Sequence, residues 1–123
     1  MTYVFAAILA LHGLVHVLGF VSVWRIGGGT FPMSPTLLAS LDPDGPVMRL
    51  AGVLWLVPAV AFAAAAAGLV FDGPWWRVLV APAAVTSLLL CIAWWSDAKV
   101  GAAFDLAILV GLLGTSWLGQ TQA

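Results

Sequence analysis

Residues 2–24 form one apolar run with no acid or base before Arg25, and it holds two histidines, His12 and His16, four residues apart. About 20 apolar residues at about 1.5 Å rise each cross the hydrocarbon core of a bilayer. In that medium backbone polar groups must be bonded within the chain, so a run of this length is restricted to helix. The two imidazoles are polar groups where polar groups are costly, and each needs a partner or a role.

Composition extends the argument to the whole chain. It has 123 residues, 63% hydrophobic and 7% charged, with a mean hydropathy of +1.13. A soluble domain averages roughly 25% charged residues, and four bases with five acids cannot cover a soluble surface. Glu is absent. A net charge of −1 leaves no basic footprint for nucleic acid and no polybasic tract for lipid head groups. Cys91 is the single cysteine, so it forms no intramolecular disulfide and no thiolate metal cluster, and it reads as a small packing residue. A cleaved leader wants basic residues ahead of a short apolar core. None precedes Arg25, so 2–24 reads as a retained span.

Four segments are long and apolar enough to span: 2–24, 50–71, 76–95 and 100–119. They predict an all-α, four-transmembrane-helix antiparallel bundle, one integral membrane domain over 1–123, with connections 25–49, 72–75 and 96–99. The aromatic residues fit this, because Trp and Tyr favour bilayer interfaces. Trp24, Trp55, Trp94 and Trp95 fall towards one interface, and Tyr3, Trp75, Trp76 and Trp117 towards the other. Arg25, Arg49 and Lys99 lie on the face of the first and third connections, against Arg77 alone on the other. Positive-inside counting in a bacterial cytoplasmic membrane then places both termini outside.

Within the long first connection, Gly27, Gly28 and Gly29 make a flexible exit. Ser34 and Pro35 read as an N-cap and first helical residue for a short interfacial helix over 36–41, ended by the turn cluster 42–46. Pro58 and Pro82 are expected to kink their spans. Ala103, Ala107, Gly111 and Thr115 form a small-residue stripe on the fourth span, suited to close packing within the bundle or between subunits, and Ala and Gly over 63–68 offer a second such surface.

At four-residue spacing His12 and His16 share one helix face with Phe5, Leu9 and Phe20, expected to turn inward. Asp105 lies about one turn inside the fourth span. The candidate site is His12, His16 and Asp105, with Arg49, Ser96 and Asp97 around its mouth. Several chemistries suit these groups. His12 and His16 have the spacing of two ligands to a divalent metal, with a carboxylate as third, although Gly13 stands where a metalloprotease helix carries its acid. One histidine can ligate haem, but two at this spacing cannot reach opposite faces of one ring. His and Asp can relay protons. A quinone or other lipid-like ligand can hydrogen-bond a histidine among apolar walls. The plain alternative is interhelical hydrogen bonding, worth about 0.6 kcal/mol on average. Ser22, Ser87, Ser96 and Ser116 carry no accompanying His and acid pattern for a nucleophile, and no phosphate-binding glycine loop is present.

Three strings carry a resemblance: His12-Gly13-Leu14-Val15-His16-Val17-Leu18-Gly19-Phe20, Gly52-Val53-Leu54-Trp55-Leu56, and Trp95-Ser96-Asp97-Ala98-Lys99-Val100-Gly101. Over most of its length the chain resembles a family of small bacterial four-span integral membrane proteins, and the last string is the most specific. The resemblance implies a four-helix membrane protein with no established activity. In that family an Asn tends to occupy the position of Asp105, so the acid here departs from the pattern. A looser architectural likeness is to DoxX-type proteins. Small multidrug-resistance transporters have a similar length and span count but use a Glu in the first span, which His12 or His16 would have to replace. The expected function is a non-enzymatic binding or accessory role around His12 and His16, the cofactor unspecified, with a homo-oligomer or larger membrane complex as partner. The alternatives are a proton-linked transporter of small lipophilic or cationic compounds and a quinone- or metal-using membrane enzyme or redox subunit.

Overall fold

The structure, a computed structural model, describes residues 1–29 and 32–121, with side-chain surroundings as far as Thr115. Its helices are α1 (Thr2–Val23), α2 (Pro46–Leu54), α3 (Leu56–Val70), α4 (Trp76–Ala93) and α5 (Trp95–Thr121), and no strand occurs among the described residues. Four spans result, because α2 and α3 run on as one apolar segment, Pro46–Val70, beside Thr2–Val23, Trp76–Ala93 and Trp95–Thr115. The expected all-α, four-span bundle is the fold.

The break between α2 and α3 falls at Trp55. Pro58 explains it: proline offers no N–H to the Leu54 carbonyl, and its ring crowds that oxygen. Pro82, by contrast, stays inside α4.

The fourth span begins earlier than its apolar run. Residues 96–99, expected as a connection, are the first turn of α5. Two polar contacts explain the extension. The Ser96 N–H, an orphan donor at a helix start, donates to Thr36 Oγ1 at 3.0 Å. Asp97 places a carboxylate in the first turn, where the helix dipole favours it.

The short interfacial helix expected over 36–41 is absent; the segment makes turns. Its N–H groups bond outward instead. Thr36 and Leu37 donate to the Ala93 carbonyl at 2.8 and 3.0 Å, and Ser34, expected to cap that helix, donates its N–H to Asp97 Oδ2 at 2.9 Å. A helix this short repays little of its nucleation cost. The C-terminal carbonyl of α4 and the first turn of α5 offer better partners. The exit from α1 is left-handed, with φ of 51° at Arg25 and 76°, 70° and 80° at Gly27, Gly28 and Gly29.

In space α1 packs on α3, α3 on α4 and α4 on α5, while α1 and α5 are not packed backbone against backbone. The α1 to α3 edge is tight because of two glycines. A Cβ on Gly13 would stand 3.0 Å from both the Ala59 carbonyl oxygen and Phe62 Cβ, and one on Gly19 would strike the Trp55 ring. Two apolar clusters fill the bundle. One is Ala-rich, built around Leu9, Phe62, Val80 and Ile108. The other is aromatic, built around Met48, Trp55, Leu90 and Trp94.

Trp55 and Trp94, expected as interfacial anchors, are instead core residues with rings 5.6 Å apart. Trp24, Trp75, Trp95 and Tyr3 are exposed, as anchors should be. The Trp117 side chain lies outside the described residues. The stripe of Ala103, Ala107, Gly111 and Thr115 is exposed, and Thr115 at its end accepts a hydrogen bond from Arg77 of α4 at 3.4 Å. The 63–68 surface packs within the bundle, through Ala65, Ala66 and Gly68.

Candidate functional site

Helix α1 brings His12 and His16 to the inside of the bundle, α5 brings Asp105, and α4 brings Ser87. All four are buried: Ser87 and Asp105 at 0% exposure, His16 at 1% and His12 at 8%. They form one connected chain. His12 Nε2 lies 2.8 Å from Asp105 Oδ1. Ser87 Oγ donates to Asp105 Oδ2 at 2.5 Å and also lies 2.6 Å from His16 Nε2. His16 Nδ1–H donates to the His12 carbonyl at 2.8 Å. That carbonyl is one turn back on the same helix, so the four-residue spacing itself fixes which ring nitrogen of His16 carries a hydrogen.

Aromatic rings wall the chain. Phe62 meets His12 edge-on at 5.0 Å, and Trp55 lies 5.4 Å from His16. Such apolar walls lower the local dielectric and strengthen the polar contacts they cover. They also make an unfilled contact expensive.

Because the backbones of α1 and α5 stand apart, space remains between them. One cavity of about 430 Å³ is lined by His12, His16, Trp55, Cys91 and Asp97 among others. A second, of about 350 Å³, is lined by His12 and by the apolar Leu11, Val15, Val100 and Phe104. Leu11, Val15, Val100 and Phe104 are exposed, so the second cavity opens sideways, towards lipid. His12 borders both cavities. With Nε2 engaged by Asp105, His12 Nδ1 has no hydrogen-bond partner among the described residues. The Trp55 Nε1–H, on a residue bordering the first cavity, is buried without a partner among the described residues.

The six residues expected at the site are therefore divided. His12, His16 and Asp105 meet as expected. Asp97 borders the cavity and holds the first loop. Ser96 is exposed and bonds Thr36. Arg49 is exposed and stacks on Trp24 at 5.4 Å, away from the network. Cys91 packs as expected, but on the cavity wall.

Ser87 was missed as a site residue. Sequence gave it no histidine or acid nearby, yet it bridges His16 and Asp105, 71 and 18 residues away. One hint was available: it is a polar side chain at the middle of an apolar span.

This Ser, His and Asp set is not a hydrolase triad. The acid contacts the serine and the other histidine, while His16 Nδ1 is held by a carbonyl. Ser87 is fully buried, beyond reach of a substrate carbonyl. A metal shared by His12 and His16 would require His16 to give up either the His12 carbonyl or Ser87. No cluster of three or more His, Cys, Asp or Glu suited to a metal occurs among the described residues. Compared with family models, curated proteins and solved structures, the chain matches none.

Proposed function

We propose that the protein is a membrane-embedded binding protein, without catalytic activity, that admits a lipophilic molecule between α1 and α5 and holds its polar head at His12. The observation that carries this reading is His12 itself. It is about nine-tenths buried, borders both cavities, and keeps one ring nitrogen without a partner among the described residues. The cavity volumes fall in the range of small-molecule sites, about 300–1,000 Å³. The walls are apolar on the lipid side and polar at His12, His16 and Asp97, as a ligand with an apolar tail and a hydrogen-bonding head requires. Quinones and their quinols are one such class. The exposed stripe on α5 suits contact with a second copy or a larger membrane complex. We place the protein in a bacterial cytoplasmic membrane with both termini outside, on the distribution of Arg25, Arg49, Lys99 and Arg77.

Native mass spectrometry of the full chain in mild detergent, followed by addition of a short-tailed benzoquinone and its quinol, tests the ligand reading. The expected result is a bound small molecule that Val15→Trp excludes. Neither retention nor binding, with the protein folded, would sink it.

A second reading, a proton-linked transporter, is favoured by the buried set of linked proton-exchanging groups beside the cavity, His12, Asp105, Ser87 and His16. Proton flux in proteoliposomes that His12→Ala abolishes would support that reading over simple binding.

A further inference from the structure

The buried chain has more contacts than its ordinary protonation states can fill. Three side-chain contacts need one hydrogen each: His12 to Asp105, Asp105 to Ser87, and Ser87 to His16. With neutral imidazoles and an ionised carboxylate, His12 supplies one hydrogen through Nε2 and Ser87 supplies one. His16 supplies none, because its hydrogen is committed through Nδ1 to the His12 carbonyl. Two hydrogens face three contacts. Ser87 then has two acceptors, Asp105 Oδ2 and His16 Nε2, and one hydroxyl hydrogen.

One additional proton closes the gap, and the same proton brings the set from a charge of −1 to zero. Full hydrogen bonding and electroneutrality coincide at one proton count. In a low-dielectric interior both conditions act strongly in the same direction.

We infer that His16, Ser87 and Asp105 form a buried proton-binding site that holds one exchangeable proton, shared through the Ser87 hydroxyl. The proton has two positions. In one, Asp105 Oδ2–H donates to Ser87 Oγ and the Ser87 hydroxyl donates to His16 Nε2. In the other, His16 Nε2–H donates to Ser87 Oγ and the hydroxyl donates to the carboxylate. Passage between them moves the Asp105 proton to Ser87 as the Ser87 proton moves to His16, with no net change in charge or electrons. His12 connects this site to the cavity through Asp105 Oδ1. The titratable groups facing the site are His12 and His16 from α1, Asp105 from α5 and Cys91 from α4; α3 presents Phe62, and the break between α2 and α3 presents Trp55. The site stands whether or not a ligand seats at His12.

The test reads Asp105 and His16 separately, in the full chain in lipid nanodiscs at about pH 7. Infrared spectroscopy reports a protonated carboxyl through a C=O band assigned by its loss in Asp105→Asn. Nitrogen NMR of labelled histidines reports whether His16 carries two ring hydrogens. A protonated Asp105, or a doubly protonated His16, each supports the proposal, because either accounts for the one proton. An ionised Asp105 together with a neutral His16 overturns it, whatever the state of His12. Asp105→Asn adds a second readout. Its amide accepts from His12 and donates to Ser87, filling all three contacts with no extra proton. This variant should keep the wild-type melting temperature while His16 becomes neutral; a doubly protonated His16 in Asp105→Asn overturns the sharing through Asp105. Should that variant fail to fold, isotope labelling of aspartate assigns the band, since the other four aspartates are exposed, and the wild-type measurement decides alone.

Discussion

The two edges of α1 differ. On the α3 edge the backbone approaches Gly13 at Ala59 and Ala63, and the Trp55 ring fills the space beside Gly19. On the α5 edge the helices stand apart, cavities lie between them, and His12 with Asp105 supplies a hydrogen-bonded bridge between the helices. Lipid tails are as apolar as leucine, so neither edge is driven by the hydrophobic effect. The tight edge is held by close packing, which tolerates little change. The loose edge is held by a few polar contacts, which leave room for another molecule. A bundle closed tightly on every side would have no way in from the membrane.

Substitutions can break this contrast. The largest effect is expected at the tight edge. Gly19→Leu drives a side chain into the Trp55 ring, and Gly13→Val meets the Ala59 carbonyl and Phe62. Overpacking of this kind costs about 1–3 kcal/mol or more, read as a large fall in melting temperature or loss of monodisperse protein in detergent. Next comes Asp105→Ala, which strands His12 Nε2–H and leaves Ser87 with only His16. Each orphaned group costs about 1–3 kcal/mol. Thermal unfolding should separate this variant clearly from Asp105→Asn, and equal losses in both would contradict the contact inventory.

Thr36→Val removes the acceptor for the Ser96 N–H at the start of α5. A lost cap of this type costs about 1 kcal/mol, and faster hydrogen exchange at Ser96 should accompany it. Smallest is the loose edge. Gly111→Ala meets nothing within 4 Å and should stay within about 0.5 kcal/mol of wild type. A marked loss of stability there would show that α5 is packed against something, a second copy included, and crosslinking would identify it.

The difference between what sequence shows and what it hides follows the same line. Span 2–24 was legible because bilayer thickness fixes a length, and that constraint is local. His12, His16 and Asp105 stood out because each breaks an apolar pattern. Ser87 breaks its pattern more weakly, and its meaning lies in two partners on other helices. The helix expected over 36–41 failed for a related reason. Ser34 and Pro35 carry local helix-start chemistry, but the Ala93 carbonyl and Asp97 offered partners that no local rule contains. Trp94 lies at a helix end, whereas Trp55 lies inside the span Pro46–Val70 at its break, and the inward rotation of Trp55 depends on what α1 leaves open beside Gly19.

The sequence by itself determined four helices long and apolar enough to cross a membrane, because a bilayer admits only helices or closed barrels and these runs are about twice a barrel strand's length, and it put two histidines and one acid within them. Tertiary structure alone decided that Ser87 stands between His16 and Asp105, that Arg49 and Ser96 face elsewhere, and that the α1 to α5 edge is open. Those outcomes depend on how helices rotate and approach one another. In lipid that is set by the fit of small residues and by the few polar groups that must find each other, both of them properties of pairs of helices.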